Sequence, residues 1–109
     1  MSDLKFLTEE LIKFRDAREW GQFHNPKDLA LAISIEAGEL LEQFLWKDAD
    51  QANEAKIKEE LADVLAFSFL LAHKYGFDVK EIVLDKIAQN NAKYPIEKSK
   101  GNARKYNEL

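Results

Sequence analysis

No cysteine occurs among the 109 residues, which removes disulfides, thiolate nucleophiles and cysteine metal sites together. A reducing compartment is compatible with that. There is no excess of basic residues either: the formal charge is −4, so the electrostatic footprint of a DNA- or RNA-binding domain is missing. No apolar run is free of charges for the length of a membrane span, and the opening MSDLKFLTEE has no signal-peptide pattern. The expectation is a cytoplasmic protein without membrane or nucleic-acid partners. No low-complexity tract, internal repeat or strand-like alternation breaks the chain. Only two prolines occur, and both fall where a helix is expected to begin or end.

What is present is helical periodicity in a chain of one-domain size. Leu4, Leu7, Leu11 and Phe14 recur at helical spacing, with Ser2 or Asp3 as cap and an end near Arg18. Asn25-Pro26 supplies the cap and first position of a second helix, expected to reach about Trp46. The polar stretch KDADQANEA then reads as a loop, with Asn53 as a possible cap. Ile57, Leu61, Val64, Leu65 and the run AFSFLLA form a third helix, the most apolar, stopped by Gly76. Asp78 and Glu81 open a fourth, with Val79, Ile82, Val83 and Ile87 inward and an end near Tyr94-Pro95. The expected fold is all-α, an antiparallel four-helix bundle in a single domain over 1–109, with 97–109 as a polar, basic tail. The apolar excess of the third helix and the thin core of so short a chain point to completion by oligomerisation.

Two pairs of acids sit inside the most apolar stretches: Glu36 and Glu39 in EAGELLEQFLW, Glu60 and Asp63 in EELADVLAF. Three residues apart on a helix, the members of each pair share a face. Glu9, Glu10, Glu42 and Glu54 read as ordinary solvated acids. Four carboxylates facing each other across a helix pair repel, and either protonation or a divalent cation relieves that repulsion. Oxygen-only ligands suit Mg²⁺, with Mn²⁺ as an alternative, rather than Zn²⁺. A di-iron site would need Glu-x-x-His, and neither His24 nor His73 stands at that spacing. Gly38, between the first two acids, is costly in a helix interior but lets a helix, an ion or a substrate approach the backbone.

Glu-x-x-Glu on one helix followed by Glu-x-x-Asp on the next resembles the signature of the MazG-like all-α nucleoside triphosphate pyrophosphohydrolases. RDAREWGQFHNPKDLALAISIEAGELLEQFLWK, KIAQNNAKYP and SKGNARKY follow in the order of the dCTP pyrophosphatase branch. The resemblance implies hydrolysis of a nucleoside triphosphate, dCTP or a modified dCTP, to the monophosphate and pyrophosphate. It implies Mg²⁺ on Glu36, Glu39, Glu60 and Asp63, with Glu39 chosen as the residue that activates the water. Lys86, Asn90 and Tyr94 match the family's K-x-x-x-N-x-x-x-Y-P pattern and, with Lys105, would bind phosphates. Trp20, Phe23, His24 and Trp46 would take the base by stacking, although helix packing is the plainer role for aromatics. A homodimer, or a homotetramer of paired dimers, is also implied. Vertebrate members of the branch carry histidine where Leu11 stands and tyrosine where Phe67 stands, so base preference is less determined than reaction type. The same superfamily also offers dUTP or phosphoribosyl-ATP hydrolysis, and a non-catalytic metal-binding helical protein is the reading from another class.

Overall fold

The structure, a computed structural model, describes residues 2–109. Helix α1 runs Asp3–Ala17, and the Ser2 hydroxyl accepts the Lys5 N–H at 3.2 Å. That bond satisfies one of the donors that a helix start leaves free. A 3₁₀ turn, Trp20–Phe23, follows Glu19 at φ 54°. Helix α2, Pro26–Glu42, opens with the Asn25 side chain accepting the Asp28 N–H at 2.9 Å. It ends four residues before Trp46. The N–H groups of Gln43, Phe44, Leu45 and Lys47 bond three residues back, and Trp46 takes φ 59°. Tightening to 3₁₀ turns and one left-handed residue together stop the helix.

The polar segment after α2 is not plain loop. Asp48 and Gln51 cap a 3₁₀ turn at Ala49–Gln51 reciprocally, the Asp48 N–H reaching Gln51 Oε1 at 3.0 Å. Helix α3, Glu54–Tyr75, starts on Asn53 and stops at Gly76, whose φ of 70° is the left-handed conformation that glycine reaches without strain. Helix α4 runs Val79–Lys93 behind Asp78, and the tail contains a one-turn α5, Ile96–Ser99, and a final turn, Tyr106–Glu108. Among the described residues there is no strand, and the all-α class stands.

The chain divides into two compact units at Gly76 and Phe77. In the first, α2 packs along α3 and α1 lies on α3. Glu36 sits six residues before the end of α2 and Glu60 six after the start of α3, yet their carboxylates meet. His24, before α2, meets Phe67, late in α3. Both pairings require an antiparallel hairpin. Its core is thin: Leu29, Leu70 and Ala72 are the buried apolar residues.

The second unit holds α4, α5 and the last turn, where the Tyr94 and Tyr106 rings meet edge to face at 6.2 Å. Ile82, Val83 and Ile87, expected to point inward, are 42–51 % exposed. Within this unit α4 has only a one-turn helix and a terminal turn to pack against, too little to cover a helical face. No helix among the described residues is long and apolar enough to cross a membrane.

Candidate active site

The antiparallel hairpin brings the two acid pairs together. One carboxylate oxygen each from Glu36, Glu60 and Asp63 lies within 4.8 Å of the other two. Glu36 and Glu60 are half-buried, and each keeps one Oε2 buried without a hydrogen-bond partner. Lys56, one turn before Glu60, pairs instead with Glu59 at 3.4 Å. The other ion pairs among the described residues, Lys13 with Glu10 and Arg15 with Asp16, also lie away from the cluster. The acids therefore meet without an internal cation. Burial, then Glu39 as hydrogen-bonding neighbour and as charge, then Asp63 and Glu60, push the Glu36 carboxyl up to about 7. Glu60 is raised as well, by burial first and then by Glu39.

Glu39 thus acts on both neighbours while standing outside the closest trio. Its backbone carbonyl accepts the Gln43 side-chain N–H at 3.2 Å. Orphaned buried oxygens, raised carboxyl groups and an all-oxygen donor set fit a hard divalent cation, which would supply the positive charge this chain leaves out. The close approach of another helix expected at Gly38 is not made among the described residues. Gly38 is exposed, and a Cβ there would meet nothing within 4 Å.

The aromatic candidates separate. His24 is half-buried with its ring edge-on to Phe67 at 6.2 Å, and its Nδ1 is buried and unpartnered. Burial, and then the charge of Arg15, lower its pKa, so the imidazole is neutral at pH 7. Trp20 packs edge-on to Phe14 at 5.8 Å, with the Arg18 guanidinium 3.7 Å from the Phe14 ring and 5.9 Å from that of Trp20. Phe23 is 61 % exposed and Trp46 94 %.

Lys86, Asn90, Tyr94 and Lys105 belong to the second unit. Lys86 and Asn90 are exposed on α4, while Tyr94 caps its end with its N–H on the Asn90 carbonyl at 2.8 Å. Lys105 is exposed at the start of the last turn. Sequence reasoning passed over Lys93, whose Nζ lies 5.0 Å from the Tyr106 ring, and Arg15. Arg15 crosses Gly21 closely: a Cβ at Gly21 would stand 3.4 Å from its Nε. Periodicity carries no trace of such a contact, and Gly21 between two aromatics was the available signal.

With this geometry in view, the relatives can be compared. Residues 31–109 match the MazG-like family. The dCTP pyrophosphatase 1 of Rattus norvegicus is 38 % identical across the whole of this chain and 67 % of its own length. The human protein of the same name is 36 % identical over the same shares, and the Bos taurus protein 36 % over 68 % of its length. Among solved structures, a pyrophosphatase from Archaeoglobus fulgidus superposes with a TM-score of 0.81 at 36 % identity, covering 87 % of this chain and 94 % of that one. The helix-borne acid pairs, the fold and these matches agree: the chain belongs to the MazG-like family.

Proposed function

We propose that this protein hydrolyses a nucleoside triphosphate, dCTP or a modified dCTP, to the monophosphate and pyrophosphate with Mg²⁺. The observation that carries the reading is the cluster of Glu36, Glu60 and Asp63 across α2 and α3, with buried carboxylate oxygens on Glu36 and Glu60 and no cation of its own. The dCTP pyrophosphatase relatives supply the substrate class.

Glu36, Glu60 and Asp63, with Glu39 beside them, would hold the metal. Bound there, the ion supplies Lewis acidity and neutralises phosphate charge. Glu39, outside the closest trio, orients the attacking water and takes its proton at a carboxylate oxygen. The neutral His24 offers a hydrogen-bonding imidazole to the base, and Trp20, Phe23 and Trp46 offer exposed ring surface for stacking. Lys86, Asn90, Tyr94 and Lys105 enter through the family pattern as donors to phosphate oxygens. A homodimer or homotetramer belongs to the proposal, supported by the many large apolar side chains left exposed.

The test incubates the protein with Mg²⁺ and each common nucleoside and deoxynucleoside triphosphate, and with phosphoribosyl-ATP, measuring pyrophosphate separately from orthophosphate, beside Glu39→Ala and Asp63→Ala. Pyrophosphate from dCTP, lost in both variants, is the expected result. Release from dUTP or phosphoribosyl-ATP instead would move the substrate and keep the chemistry. Mg²⁺ binding without pyrophosphate from any nucleotide would overturn the enzymatic reading in favour of a metal-binding interaction protein.

A further inference from the structure

Arg15 is a cation on the covered face of α1. Leu4, Thr8, Leu11 and Arg15 follow one another at helical spacing and are all half-buried, and the Arg15 side chain is only 19 % exposed. A guanidinium carries five N–H donors and no acceptor. One of the five is used: Nε donates to Asp16 Oδ1 at 2.9 Å. The other four, on Nη1 and Nη2, have no acceptor among the described residues. A largely covered charge with unmet donors is costly until something accepts from it.

The place of Arg15 is set by the turn that carries His24. Gly21 has no side chain, so the guanidinium lies against that turn: a Cβ there would stand 3.4 Å from Nε and 3.8 Å from Cζ. The Gly21 carbonyl accepts the His24 N–H at 3.2 Å, and the Arg15 charge is felt at the imidazole, which it helps to keep neutral. The His24 ring meets Phe67, which follows Asp63 by one turn of α3, about 6 Å along the axis. Arg15 therefore stands on the side of the acids where His24 is offered to the base. Leu11, one turn before Arg15 on the same face, and Phe67 bring no hydrogen-bond donor to this place.

We propose that Arg15 selects the base, its Nη1 and Nη2 fork donating to the adjacent O2 and N3 acceptors of a cytosine lodged beside His24. The inference rests on the nucleotide reading above and names the residue that sets its base preference. Uracil and thymine carry a proton on N3, so one arm of the fork meets a donor and its bond is lost. Asp16, 59 % exposed, holds Nε and thereby fixes the plane of the fork. Lysine in place of Arg15 would keep the charge without the two parallel bonds.

The test measures, by calorimetry with Mg²⁺, the binding of the non-hydrolysable α,β-imido analogues of dCTP and dUTP to the unaltered chain, Arg15→Lys and Arg15→Ala. The unaltered chain should bind the dCTP analogue roughly tenfold to a hundredfold more tightly than the dUTP analogue. Both variants should bring that ratio close to one, with Arg15→Lys keeping more of the affinity for each. A ratio taken within one variant does not depend on how much of it is folded. No preference in the unaltered chain, or an equal loss for both analogues in Arg15→Ala with the ratio unchanged, would overturn the proposal; the second result would put the guanidinium on a phosphate. Because the analogues are not cleaved, the ratio is read independently of pyrophosphate release. Preferential binding without turnover of dCTP would sink the enzymatic reading alone, and turnover without preference would sink this inference alone. Failure of either analogue to bind would overturn both.

Discussion

The two sides of α2 invert the usual arrangement of a surface helix. A surface helix of a globular protein turns its apolar stripe to the core and its charges to water. Here the side facing α3 carries Glu36 and Glu39 beside the buried Leu29, while the outer side carries Leu31, Ile35, Leu41 and Leu45. Each face is unfavourable in one chain alone. The inner acids lack a positive charge, and the outer apolar side chains lack a cover among the described residues. The comparison shows a helix whose two faces call for two different additions, a cation and a second helix.

The inner face is broken most severely by removing a ligand. Glu36→Ala or Asp63→Ala should lower pyrophosphate release by at least about a hundredfold, more than loss of a supporting residue costs, in a steady-state assay with Mg²⁺. Leu29→Ala, on the same face but in the core at 2 % exposure, should cost about 2–5 kcal/mol in denaturant unfolding. The same change at Leu41, 71 % exposed, should leave a monomer within about 0.5 kcal/mol of its original stability.

Metal and pH sharpen the comparison at an intermediate level. Glu36 is raised to about 7 from an ordinary 4.5, so the folded chain holds a proton that the unfolded chain has lost. The associated stability is fully present below pH 4.5 and is lost as pH rises towards 7. Thermal unfolding in chelator should show that decline. Saturating Mg²⁺, at a hundred times its Kd, should restore about 2.7 kcal/mol near neutrality and much less at pH 5, where protons compete for the same oxygens. Glu36→Gln should flatten the decline without metal.

The smallest effect separates the outer face from the chain's own interior. Gly38→Ala should stabilise a dilute monomer by about 1 kcal/mol through helix propensity. Denaturant midpoints of the variant and the unaltered chain, compared at one low concentration, check the gain.

The caps were legible because they are local. Ser2, Asn25, Asn53 and Asp78 each accept an N–H three residues on, as their positions announced. The end of α2 was not legible, because apolar spacing continues through Trp46 while the backbone has already tightened into 3₁₀ turns. The tail read as polar, yet α5 and the Tyr94–Tyr106 contact order part of it. Among the site residues, helical spacing was enough to place each acid pair on one face. That His24 would meet Phe67 and sit within the field of Arg15 followed from no spacing, since those residues lie on different elements.

By itself the sequence determined four long helices, their caps and the pairing of acids along each helix, because 3.6-residue periodicity and capping act over a few residues. Tertiary structure alone decided that Glu36, Glu60 and Asp63 converge, that Glu39 stands just outside them, and that Gly38 faces open space. Those outcomes depend on the direction and register in which α2 meets α3, which arise from side chains distant along the chain packing together.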